Sequence, residues 1–126
     1  MSKTRITEPT LEPLTLAEVK QFLRIETADE NALLSMWISQ AREACETFIG
    51  RALITQDWQL VTEAHGGLEL RPGPVQSILS VSYDDGDETR ILTADEYRLR
   101  SRDGLDRILF DPALGRGEVS VDFRTG

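Results

Sequence analysis

A single histidine, His65, and a single cysteine, Cys45, occur in the whole chain, and each scarcity removes a class of chemistry. With one imidazole, neither a metal site built on two or more histidines nor an H-E-x-x-H arrangement is possible. His65 lies in the turn Ala64-His65-Gly66-Gly67 and reads as a solvated turn residue rather than a ligand or base. One thiol cannot close an internal disulfide. Cys45 falls on the apolar face of a long helical pattern, with no histidine or basic cluster beside it, and reads as a buried small hydrophobe. No run of about eighteen apolar residues is present to span a bilayer. Met1-Ser2-Lys3-Thr4-Arg5 leads into polar residues rather than an apolar signal core. These features lead to the expectation of a protein made and used in a cytoplasm. The phosphate-binding patterns G-x-x-x-x-G-K and G-x-G-x-x-G and the nucleophile elbow G-x-S-x-G are also missing.

Positive charge is in short supply as well. Fourteen basic residues stand against twenty-two acidic ones, a net charge of −8. A protein that grips duplex DNA by neutralising phosphates carries a basic stripe, and here the basic residues are interleaved with acids. The nearest approach to a stripe is Arg98, Arg100 and Arg102, which the two-residue period of a strand places on one face. That face is either simply solvated or a contact for an acidic partner. The cluster Asp84, Asp85, Asp87 and Glu88 lacks the D-x-D-x-D-G order of a calcium loop, and Asp85-Gly86 between alternating segments is explained by a hairpin turn. Carboxylates are numerous, but nothing selects a pair for acid–base work. No catalytic, metal or cofactor-binding residue is assigned, and an enzyme is disfavoured.

With 126 residues and an apolar fraction of 40%, the chain suits one domain with a modest core. Residues 1–12 contain Pro9 and no apolar period, and read as a flexible, extended arm. Thr15 and Glu18 have capping-box spacing, with Leu14 and Val19 placed as a hydrophobic staple. They predict a helix over 15–25 whose face is Leu16, Val19, Phe22 and Leu23. Thr27 and Glu30 repeat the spacing, with Asp29 as a competing cap, and predict a second helix over 29–49. Its stripe is Leu34, Trp37, Ile38, Ala41, Cys45, Phe48 and Ile49, closed by Gly50 in the left-handed conformation. The stripe spreads sideways to Leu33, Met36 and Ala44, wider than one short helix can cover, so part of it must face the sheet or another subunit. Trp37 reads as core or subunit interface. Trp58 reads as a bridge between sheet and helices.

After Gly50 the period changes to two. Ile54, Trp58 and Leu60 begin a strand, and Leu68 to Leu70 make a short one. Leu79, Val81 and Tyr83 alternate into the Asp85-Gly86 turn, and Thr89 to Leu92 follow it. Tyr97 and Leu99 precede a second hairpin at Asp103-Gly104, Ile108 to Phe110 return, and Val119, Val121 and Phe123 close the chain. The class is α+β: a helical hairpin over 13–50, then a β-rich part over 51–126 forming a small antiparallel meander or barrel-like sheet. The expected buried set is Phe22, Leu34, Ile38, Ala41, Cys45, Phe48, Trp58, Leu79, Val81 and Val121.

Two capped helices, an acidic break and a strand-rich remainder resemble the head-tail connector, or adaptor, family of tailed phages and of the gene transfer agents related to them. The residues carrying the resemblance are Leu14-Thr15-Leu16-Ala17-Glu18-Val19-Lys20 with Leu23-Arg24, then Asp29-Glu30, then Gly50-Arg51-Ala52-Leu53-Ile54-Thr55-Gln56 with Trp58. The resemblance implies a structural virion protein made in a bacterial host. Its subunits would form a dodecameric ring at the neck beneath the portal protein, extend the double-stranded DNA channel without sequence-specific binding, and receive a stopper or tail-completion protein. An acidic chain suits such a role, since dense positive charge along the channel would hold sliding DNA. On a ring, the long helix is expected to carry inter-subunit contacts, with Met36, Trp37 or Arg42 among them and Glu43 or Glu46 as polar partners on the adjacent copy. Arg98 and Arg100 are the further candidates for partner contact. The resemblance also implies helices after the last strand that dock on the portal. The sequence runs to Gly126 without them, so a longer chain or another element would do the docking. The alternative is a non-catalytic protein–protein interaction module of a cellular assembly.

Overall fold

A computed structural model describes residues 2–64 and 66–126, so the turn role expected of His65 lies outside the described residues. The element order is β1 (Ser2–Thr7), α1 (Leu16–Leu23), α2 (Asn31–Ile49), β2 (Gln56–Glu63), β3 (Gly67–Glu69), β4 (Val75–Asp84), β5 (Thr89–Ile91), β6 (Tyr97–Arg102), β7 (Leu105–Phe110) and β8 (Glu118–Thr125). The α+β class and the helices-first order are as expected.

Helix α1 starts where the capping box places it. The Thr15 hydroxyl accepts from the Glu18 amide at 3.1 Å, and the Glu18 carboxylate accepts from the Thr15 amide at 3.2 Å. It ends on Arg24 in the left-handed conformation, φ 59°. The second capping box does not form. Glu30 occupies the N-cap of α2 without a side-chain hydrogen bond, and neither Thr27 nor Asp29 caps it. The first turn is entered through backbone bonds instead, Asn31 N–H to the Ala28 carbonyl and Leu34 N–H to the Glu30 carbonyl. At the far end Gly50 adopts φ 69° and donates to the Glu46 carbonyl at 2.9 Å, as a left-handed helix stop does.

All ladders between the strands are antiparallel, but their order is not a meander. One sheet runs β1-β2-β8-β4-β5, with the last strand at its centre, and the other runs β3-β7-β6. The two pack face to face. Leu60, Val81, Tyr83, Val119, Val121 and Phe123 from the first sheet meet Ile108 and Phe110 of the second, with Leu70 and Leu92 closing the cluster. The arm read as flexible is β1, an edge strand paired with β2 from Ser2↔Val61 to Thr7↔Asp57. An edge strand with mostly exposed side chains needs no apolar period, which is why the sequence pattern misses it.

The core therefore lies between the sheets, and much of the expected buried set is not in it. Leu34, Val81 and Val121 are buried, and Ile38 and Trp58 are half-buried. Phe22 is 86% exposed and Phe48 92%, while Ala41 and Cys45 are also exposed. Within α2 only Leu34 and Arg42 are buried. The physical reason is that the sheets satisfy each other's inner faces, leaving the helical stripe only the short α1 to pack on. Leu79 is 44% exposed because the β4–β8 register slips between Ile78 and Ser80. That bulge gives the inward place to Ile78, opposite Phe123, and turns Leu79 out.

Candidate interaction surfaces

Where the helical hairpin joins the sheets, a buried guanidinium organises a chain of polar contacts. Arg42, 5% exposed, donates from Nε to Glu12 Oε2 at 2.7 Å and from Nη1 to Glu46 Oε1, with Glu43 3.8 Å away. Glu12, in the segment before α1, also accepts from Ser39 Oγ at 2.8 Å, which straps that segment across α2. Glu46 passes the contact on. Its Oε2 accepts from Gln56 Nε2 at 2.6 Å and from the Leu53 amide at 3.2 Å, and Gln56 Oε1 accepts from the Trp58 indole at 3.1 Å. Arg5 on β1 reaches Glu43 at 3.0 Å, and Lys3 and Arg5 lie over the Trp58 ring, 5.2 and 5.9 Å from its centroid. Burial works against charge at Glu12, but the Arg42 and Ser39 hydrogen bonds outweigh it and hold the carboxyl below its ordinary range. Burial opposes the Arg42 charge too, and its hydrogen bonds to Glu12 and Glu46 raise its pKa nonetheless.

Arg42, Glu43 and Glu46 thus come together within one chain, with Arg42 and Glu46 turned inward and Glu43 about half exposed at the edge. The Arg42/Glu46 pair has the i,i+4 spacing of a helical ion pair and was readable as such. Glu12 and Gln56 carried no such signal, because their partners are distant in sequence.

Beside this joint the two helices leave an apolar groove of about 310 Å³ between Leu14 and Val19 on one wall and Trp37, Ala41 and Cys45 on the other. Met36 and Trp37 are 49% and 52% exposed. No other element covers this face among the described residues. Arg98 and Arg100 lie far along the chain on β6, both exposed on one face of the smaller sheet, as the two-residue period requires.

A cleft of about 710 Å³ lies between the start of β6 and the loop after β7 and includes Asp95, Glu96, Arg98 and Asp111. Glu96 is held as a carboxylate by the bidentate Arg90 guanidinium and the Thr93 amide, with its pKa lowered to about 2. A general base at neutral pH wants a value near 7. Asp57, paired with Arg124, and Asp85, which accepts the Asp87 and Glu88 amides, are displaced downward too. The Asp85-Gly86 and Asp103-Gly104 hairpins form as the sequence predicts, so the aspartates around Gly86 serve the turn. No group of three metal-ligating side chains is gathered among the described residues, and no helix is long and apolar enough to cross a membrane.

A helical hairpin with an uncovered apolar face, carried on a two-sheet module with charged outer faces, is the build of an assembly subunit. The chain belongs to the phage gp6-like head-tail connector family, which it matches over residues 13–89. It is accordingly a structural protein of the neck, where head meets tail in a phage-like particle. Among solved structures it is similar to a chain in the neck of an empty GTA particle computed with C6 symmetry, at 27% identity and a TM-score of 0.78. It is also similar to a chain in the virion of the native gene transfer agent (GTA) particle, at 25% identity and a TM-score of 0.78. The whole of this chain is covered in both comparisons, against 71% and 72% of those chains. None of the curated proteins matches.

Proposed function

We propose that this protein is a ring-forming adaptor: copies assemble beneath a portal protein, continue the DNA channel, and present the surface on which a stopper or tail-completion protein and then the tail assemble. The observation that carries the reading is the uncovered apolar face of the hairpin in a chain similar to a gene transfer agent neck protein. An exposed face of this kind on a small protein marks a contact to be made. Met36, Trp37 and Phe48 would bury against the adjacent copy, with Glu43 at the polar rim. Arg42 and Glu46 would act from inside, holding the helix at a fixed angle to the sheets. Sixfold symmetry of the neighbouring neck accommodates a dodecamer as well as a hexamer. Net charge of −8 suits a channel from which DNA must slide freely.

The test is to mix the protein with portal-bearing, DNA-filled heads and image the portal vertex by electron microscopy. A ring at the vertex, followed by tail joining, is the expected result. Heads that bind no subunits, and that retain DNA and accept tails without this protein, would replace the adaptor reading with that of a cellular interaction module.

A further inference from the structure

The two outer faces of the β-sandwich carry opposite charge. On the smaller sheet, Arg98, Arg100 and Arg102 of β6 point outward, and Arg107 of β7 lies directly across from Arg100. Glu69, across from Arg107, is engaged by Arg71 at 2.6 Å, and among the described residues Arg102 has only the exposed Asp103, at 3.7 Å. On the larger sheet, Glu63 of β2, Glu118 of β8 and Asp84 of β4 sit in one cross-strand row. Asp85, Asp87 and Glu88 extend the row into the adjoining turn. The cations described on that side are Arg124, which is taken by Asp57, and Arg116 in the neighbouring loop.

Like charges directly opposite on neighbouring strands destabilise a sheet. This chain has such an arrangement twice, Arg100 across from Arg107 and Glu118 between Glu63 and Asp84, and neither contributes to folding. Because the sheets pack inner face to inner face, the two unfavourable rows look away from each other on opposite sides of the molecule. A two-fold contact would bring like to like. Only head-to-tail stacking places arginines on carboxylates, and repeated with a rotation it closes a ring.

We infer that the outer face of β6–β7 in one copy docks on the Glu63–Glu118–Asp84 row and β4–β5 turn of a second copy of this chain, as the charge-complementary side contact of a head-to-tail ring. It rests on the ring reading above, and adds a contact between the β parts to the one between helices. Duplex DNA as the occupant would account for the arginines but not for the carboxylate row on the far side.

The experiment uses full-length protein and portal-bearing heads. Variant one carries Arg98→Glu, Arg100→Glu and Arg102→Glu; variant two carries Glu63→Lys, Glu88→Lys and Glu118→Lys; a third carries all six. Variants one and two alone are expected to lower ring occupancy at the portal roughly tenfold or more, because each then has two faces of the same sign. The six-fold variant, and an equal mixture of variants one and two alternating around an even-numbered ring, are expected to recover it. Wild-type occupancy should also fall at about 0.5 M salt, where screening is short-ranged, a readout that requires no variant to fold. Rings of unchanged occupancy in variants one and two, or salt-insensitive wild-type rings, overturn this contact while leaving the adaptor reading intact. Loss without recovery in the combined variant and the mixture assigns the faces to another partner and overturns it too. So does binding of a short labelled duplex that variant one alone abolishes while its rings persist. Heads that gather no wild-type ring overturn the adaptor reading itself, and this contact with it.

Discussion

The Thr15 hydroxyl satisfies an amide at the start of α1 and packs against nothing essential. Thr15→Ala should therefore cost about 1 kcal/mol, seen as a lowered midpoint in thermal denaturation. Arg42 is the costlier position. Arg42→Met leaves Glu12 and Glu46 with side chains 24% and 10% exposed and without their cation. A loss of about 2–4 kcal/mol in urea denaturation is expected, since an uncompensated carboxylate costs more than the pair contributes. Glu96 makes a pH prediction. Its pKa is about 2 in the fold against an ordinary 4.5, so the unfolded chain takes up its proton first as pH falls. The stabilisation from Arg90 is complete above about pH 4.5 and is lost as pH drops toward 2. Glu96→Gln should flatten the acid limb of stability against pH, with Glu12, Asp57 and Asp85 supplying what slope remains.

At the scale of elements, alternation along β4 is readable until the bulge interrupts it. Leu79, Val81 and Tyr83 share one face by count, yet only the latter two face the core. Val81→Ala is expected to cost about 1.5–3 kcal/mol and Leu79→Ala less than about 1, a contrast that paired urea titrations would read directly. The helices divide in the same way. The capping box of α1, the glycine stop of α2 and the apolar stripe follow local rules, so both helices were legible to within about two residues at each end, while the cap expected at Thr27 or Asp29 does not form. What covers the stripe was not, because periodicity reports that a face is apolar and not which surface meets it. Phe48→Ser should leave monomer stability within about 0.5 kcal/mol, as for other exposed positions, while impairing ring assembly.

For the whole molecule, the arrangement of helices beside rather than over the sheets makes the subunit a carrier of two kinds of surface. One is apolar on the hairpin, and the others are charged on the two outer sheet faces. Trp37 is a built-in reporter of the first, since Trp58 is half-buried in the joint. Acrylamide quenching of tryptophan emission should fall when subunits enter the neck ring, and the fall should vanish in Trp37→Phe. If quenching stays the same on assembly, the groove side of α2 is not buried there.

Several features of the protein follow from the sequence alone. The capping box of α1, the glycine stop of α2, two hairpins at Asp-Gly pairs and the family resemblance all rest on residues near one another in the chain, where local geometry decides the outcome. The N-terminal strand, the central position of β8, the Glu12–Arg42–Glu46–Gln56 chain and the opposed charge of the two sheet faces were left to the tertiary structure. Each depends on partners tens of residues apart, and a pattern read along the chain carries the period of a face but not the identity of what it meets.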